Sequence, residues 1–218
     1  MEEADRKIFS LSRKNQMQQI KDRNNLIPAF AKMDKVVLEL GCGPSKRIQN
    51  AITVDMLDID GVDIVCDLDN GLPFLEDNSI DEIHSFHFLE HVKDINFMMA
   101  EIYRVLKTGG IHSGTVPYFG NPYFYSDPTH KSTFGLYTFS YFSKIPYFKR
   151  RVPTFYNNVN FKINDIRILF RSNFFVRRNV KRIFQMIFNS SRYMKELYEE
   201  VFCYMIPGYE IFFELEKR

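Results

Sequence analysis

Val36-Val37-Leu38-Glu39-Leu40-Gly41-Cys42-Gly43-Pro44 carries the reading of this 218-residue chain. Its first five residues make a short, branched, apolar run of the kind a buried strand needs. The two glycines behind it allow a tight backbone turn and a close approach to a ligand. The pattern recurs downstream. Residues 51–55 and 62–67 read as a second and a third strand, residues 80–88 as a fourth, with turn chemistry at 69–73 and 76–79. Asp94 can cap a helix that puts Ile95, Met98, Met99, Ile102, Val105 and Leu106 on one face, and Thr108-Gly109-Gly110 is expected to end it. Residues 111–116 give a fifth strand, stopped by Pro117.

Strands alternating with crossovers predict an α/β fold with a mostly parallel sheet covered on both faces. The tail adds a strand over 160–170, a helix over 190–204 and a return strand over 209–215, so about seven strands are expected, the last antiparallel. Residues 1–34 read as a polar helical arm with a weak apolar stripe of Ile8, Leu11, Met17 and Ile20, and 35–218 as one domain. Residues 118–160 are dense in Tyr, Phe, Pro and Ser and form an aromatic insertion after the fifth strand, long enough to be a substrate cover.

Three predicted strands end on acids at one edge of the sheet: Glu39, Asp55 and Asp67. In an open parallel sheet the carboxyl ends of the strands form the ligand crevice, and an acid at the second strand's end is placed to accept hydrogen bonds from a ribose diol. The dinucleotide fingerprint would need glycine where Lys46 stands, and no phosphate-cradling loop of the G-x-x-x-x-G-K type exists. A ligand with adenosine but no pyrophosphate fits better, which points to S-adenosylmethionine.

The segments LELGCGP at 38–44, TVDM at 53–56, VDIVCDLDNGLPF at 62–74, DNSIDEIHSFHFLEHV at 77–92 and EIYRVLKTGG at 101–110 resemble the type-11 branch of the class I S-adenosylmethionine-dependent methyltransferases. The resemblance implies a Rossmann-like doubly wound sheet and S-adenosylmethionine as cofactor. It implies that Glu39, Gly41, Cys42 and Gly43 form the glycine-rich turn near the methionine moiety. Asp55 would bind the ribose hydroxyls with Met56 against the adenine, Asp67 would meet the adenine amino group flanked by Leu68, and His87 would lie under the cofactor near the methyl group. One departure is plain: the span from Pro44 to Asp55 leaves room for only one or two turns of helix between the first two strands.

Methyl transfer needs an aligned acceptor and sometimes a base. The D-P-x-H element Asp127-Pro128-Thr129-His130 resembles a subset of bacterial methyltransferases, several associated with surface polysaccharides. Asp127 could fix the tautomer of His130, which could then deprotonate a hydroxyl; His91 is a further candidate. No metal-site spacing supports ligation by Asp127, His130 and a third residue, so no metal is expected.

The expected reaction is O-methylation of a small molecule or glycan precursor. The alternatives are an RNA or protein acceptor, or a non-catalytic S-adenosylmethionine-binding partner subunit. Residues 1–130 carry 13 Lys+Arg against 20 Asp+Glu and residues 131–218 carry 16 against 7, so the C-terminal part can favour an anionic acceptor. No RNA-binding module is recognisable, and nucleic acid is not the expected partner. No apolar run approaches the roughly 20 residues of a membrane span. The acidic start is no signal peptide, and Cys42, Cys66 and Cys203 have neither disulfide nor zinc spacing. A reduced, cytoplasmic protein is expected.

Overall fold

The computed structural model describes residues 20–218. They form one eight-stranded mixed sheet with strands β1 Lys21–Asp22, β2 Val37–Leu40, β3 Ile52–Asp55, β4 Ile64–Val65, β5 Ile80–Phe86, β6 Leu106–Pro117, β7 Phe161–Leu169 and β8 Glu210–Lys217. The order across the sheet is β1-β4-β3-β2-β5-β6-β8-β7. Strands β4, β3, β2, β5 and β6 are parallel, whereas β1, β8 and β7 pair antiparallel with their neighbours. This is the expected α/β architecture, with one short extra strand at the β4 edge.

The parallel strands are buried on both sides, as their continuous apolar runs require: Leu38, Leu40, Val54, Ile64 and Ile83 are all fully enclosed. Helix α1, Ile95–Val105, connects β5 to β6, capped by the Asp94 carboxylate, which accepts from the N–H groups of Asn96 and Phe97. Its apolar face, Met98, Met99, Ile102 and Val105, lies in the core. The glycines do not end it. Leu106 is already extended and opens β6, and Gly109, at φ +79°, falls inside that strand. The Arg104 carbonyl, which accepts from the Asn78 N–H at 3.0 Å, also receives the Lys217 ammonium at 3.2 Å, a cation at the helix C-terminus.

The segment between β2 and β3 forms no helix at all, where one or two turns were expected. Pro44 cannot donate a backbone bond, and the Glu39 carboxylate draws in the N–H groups of Arg47 and Ile48 at 2.8–3.1 Å, which holds this short span as a loop. The periodicity at Ile8, Leu11 and Met17 lies outside the described residues. Residues 20–34 carry β1 and a 3-10 turn over Ile27–Lys32 where a helical arm was expected.

The aromatic insertion is split: some of its rings join the core, whereas Tyr123, Tyr125, Tyr141, Phe155 and Tyr156 are exposed. Phe124, Phe134, Phe139, Phe142 and Phe148 are buried, and Phe139 stacks on Phe213 of β8 at 4.1 Å. After β7 the chain forms two helices, α2 Phe175–Phe188 and α3 Arg192–Leu197, then a π turn over Tyr198–Phe202. Helix α2 was not expected. Its alternation of cations with Val176, Val180, Ile183 and Ile187 leaves most of it exposed, and Phe188 is its one buried residue. No helix of the described residues is long and apolar enough to cross a membrane.

Candidate active site at the carboxyl edge of the sheet

Parallel pairing brings the ends of β2, β3, β4 and β5 to one edge. Leu40 is level with Val54 and Ser85, and Asp55 with Val65, so the turn after β2, Asp55, Asp67 and His87 emerge side by side. Gly41 and Gly43 both have positive φ, at +65° and +56°. A side chain on Gly41 would strike the ring of Phe88, whereas one on Gly43 would meet nothing within 4 Å. The turn is therefore packed on one side and open on the other, as a ligand cradle requires.

Asp55 is buried at this edge. One carboxylate oxygen accepts from the Gly43 N–H at 2.8 Å and the other from the Leu57 N–H at 2.9 Å. An ionised carboxylate has about four lone-pair sites, so two remain for ligand hydroxyls. Met56 and Leu57 stand exposed beside it and offer an apolar face for a flat ring. Asp67 is exposed and caps the 3-10 turn Leu68–Asn70, accepting from the N–H of Asp69 and the side chain of Asn70, each at 3.0 Å. Leu68 belongs to the core. Glu39 is enclosed and acts on the loop backbone. The Cys42 thiol is pushed up to about 11, first by burial and then by the charges of Asp55 and Glu39, so it stays protonated and inert.

His87 sits just past β5 at φ +56°, a conformation uncommon outside glycine. Its Nε2 donates to Glu210 at 3.0 Å and its Nδ1 to Glu90 at 3.2 Å. These two buried carboxylates push its pKa up to about 9 against the opposing effect of burial. The ring is a cation at neutral pH with both nitrogens committed. Arg171 reaches the other oxygen of Glu210 at 2.9 Å. Neither Glu90 nor Glu210 was among the site residues expected from the sequence. Glu90 was visible within the LEHV segment, but Glu210 lies far along the chain and gives no local signal.

Beyond His87 the chain turns through His91 and meets the D-P-x-H loop, whose Lys131 and Ser132 N–H groups donate to the Glu90 carbonyl at 2.7 and 3.2 Å. The rings of His91 and His130 lie 4.9 Å apart. Asp127 stands 3.7 Å from Nε2 of His130, too far for a hydrogen bond, and does not set its tautomer. The backbone carbonyl of Phe124 does, accepting from Nδ1 at 2.9 Å, while the ring stacks on Phe124. Asp127 acts instead on Thr129, accepting from its hydroxyl at 2.6 Å and its N–H at 2.8 Å. With its proton given to Asp127, the Thr129 hydroxyl accepts from Nδ1 of His91 at 3.0 Å. Both imidazoles are thereby fixed with the Nε2 lone pair free. A cavity of about 170 Å³ bordered by Ser140, Tyr147 and Arg150 lies within the insertion and touches none of these residues.

Residues 38–113 match the family model described as a methyltransferase domain. No curated protein matches the chain. Among solved structures, it is similar to a SAM dependent methyltransferase from Archaeoglobus fulgidus, at 17% identity over 95% of this chain and 94% of that one, with a TM-score of 0.51. It is also similar to a putative methyltransferase solved with the Haloferax volcanii Trm112 methyltransferase activator, at 16% identity over 87% of each chain, with a TM-score of 0.50. At such identities the likeness is one of fold.

Proposed function

We propose that the chain, whose residues 38–113 match the methyltransferase-domain model, uses S-adenosylmethionine to methylate a hydroxyl of a small molecule or glycan precursor. The observation that carries this reading is the continuity of the edge: the open glycine turn and Asp55 at one end lead to the His91–His130 pair at the other. The residues present fit the cofactor. Asp55 retains lone pairs for ribose hydroxyls, Met56 and Leu57 flank an adenine, and the open side of Gly43 admits the methionine end. S-adenosylmethionine supplies an electrophilic methyl on a sulfonium, open to in-line displacement.

His91 and His130, each with Nε2 free, engage the acceptor hydroxyl, while Asp127 positions His91 through Thr129. Exposed Arg177, Arg178 and Arg182 on α2 support an anionic acceptor.

Calorimetry with S-adenosylhomocysteine and a turnover assay with candidate hydroxyl acceptors test the proposal. Asp55→Ala is expected to weaken cofactor affinity at least about tenfold, roughly 1.4 kcal/mol. His130→Ala is expected to lose turnover with cofactor affinity kept. Failure of the parent protein to bind the cofactor overturns the reading, and unchanged turnover in His130→Ala removes that residue from the reaction.

A further inference from the structure

We propose that Glu90, His91 and His130 bind a divalent transition-metal ion at the acceptor end of the cleft. One carboxylate oxygen of Glu90 and one ring nitrogen of each histidine lie within 4.8 Å of one another. A modest closing of these side chains would bring each to the roughly 2.0–2.2 Å that zinc makes with nitrogen and oxygen ligands.

The rings are already set for ligation. Nδ1 of His130 is held by a backbone carbonyl and Nδ1 of His91 by a hydroxyl that Asp127 in turn fixes, so both Nε2 lone pairs are left for an ion. Metal-binding histidines usually have such outer support. Glu90 supplies an independent sign. Its side chain is fully enclosed, with Oε1 held by His87, yet Oε2 has no hydrogen-bond partner among the described residues. A buried, unpaired carboxylate oxygen is costly, and a bound cation removes that cost.

Two imidazoles and one carboxylate suit Zn²⁺ or Co²⁺, whereas Mg²⁺ and Ca²⁺ prefer oxygen ligands throughout. Three protein ligands leave a coordination position open. What that position does rests on the hydroxyl-methyltransferase reading above. With their Nε2 lone pairs on the ion, His91 and His130 act on the acceptor hydroxyl through the metal rather than by direct contact; the acceptor oxygen coordinates there and its pKa falls. Its proton passes to solvent water, and its lone pair forms the bond to the methyl carbon as the carbon–sulfur pair returns to sulfur. No metal spacing is visible along the chain because Glu90-His91 and His130 come from different loops and meet only in the fold.

The test uses the 218-residue protein stripped with chelator and titrated with Co²⁺, followed by visible absorption, with Zn²⁺ and Mg²⁺ as competitors. One Co²⁺ per chain is expected, displaced by Zn²⁺ and not by Mg²⁺. His91→Ala and His130→Ala are expected to weaken uptake at least about a hundredfold, and the isosteric Glu90→Gln at least about tenfold. Circular dichroism and S-adenosylhomocysteine calorimetry check that each variant is folded. The site is overturned if the parent takes up neither Co²⁺ nor Zn²⁺, if uptake ignores both histidine substitutions, or if Mg²⁺ competes as well as Zn²⁺. Cofactor binding without metal uptake sinks the metal site alone. Metal uptake without cofactor binding leaves the site standing and sinks the methyltransferase reading.

Discussion

His112, in the middle of β6, is fully enclosed; its Nε2 meets the Ser85 hydroxyl at 3.0 Å while Nδ1 has no partner among the described residues. Burial, helped by the nearby His84, pushes its pKa down to about 3 from the ordinary 6.5, so the ring is neutral in the fold. Above pH 6.5 folded and unfolded chains both hold it neutral and the stability it allows is complete. As pH falls from 6.5 toward 3, the unfolded chain takes up a proton that the folded one refuses. Unfolding free energy then drops by about 1.4 kcal/mol per pH unit from this residue. His87, whose raised pKa adds stability over the same pH range, offsets this loss in the parent, so the reading is the difference: from pH 7.5 to 5.5 in urea unfolding, His112→Gln should gain about 1.4 kcal/mol relative to the parent. An identical pH dependence in the two proteins would mean that the His112 imidazole charges within the fold. His87, enclosed by two carboxylates, shows the opposite outcome for the same side chain: partners rather than burial decide its charge.

Strand β6 and helix α2 differ sharply in burial. β6 is bonded along both edges, to β5 and β8, and its last six residues are all buried. Helix α2 buries only Phe188, and Arg177, Arg178, Lys181 and Arg182 crowd its surface with like charge. Local opening is set by buried apolar contact, so the amides of α2 should exchange at least about a hundredfold faster than those of the second half of β6. Hydrogen-exchange mass spectrometry reads this directly, and equal protection would mean that α2 is covered in solution. The insertion is anchored quite differently. The Tyr118 hydroxyl donates to Glu199 at 2.7 Å and the Leu136 N–H to the same carboxylate at 3.0 Å, which ties the insertion to the π turn.

A cofactor seated across the ends of β2, β3 and β4 bridges loops that belong to separate crossovers, and so stabilises the fold by mass action. At a hundred times its dissociation constant, S-adenosylhomocysteine should add about 2.7 kcal/mol. For a chain of this length that corresponds to a rise in Tm of roughly 5–10 °C. Thermal denaturation with and without the ligand checks it, and Asp55→Ala, about tenfold weaker, should lose at least about half of the rise at the same ligand concentration. An unchanged Tm at saturating ligand would argue against a cofactor bridging these strands.

The parallel strands and their shared edge were legible because each is written locally. Val36 to Leu40, Ile52 to Asp55 and Ile64 to Val65 are apolar runs closed by a glycine turn or an acid, and in a parallel sheet such ends must share one edge. Helix α1 was equally clear from its cap and its stripe, though not its end: Gly109 and Gly110 looked like a stop, but pairing with β5 draws the chain straight into a strand at Leu106. The chemistry of the acceptor end lay beyond any local pattern. Whether Asp127 serves His130 or Thr129, and that His87 is a cation between Glu90 and Glu210, depend on distances between segments that only packing sets. Backbone preference and apolar spacing act over a few neighbouring residues, whereas a side chain's charge and tautomer belong to whatever the finished fold places against it.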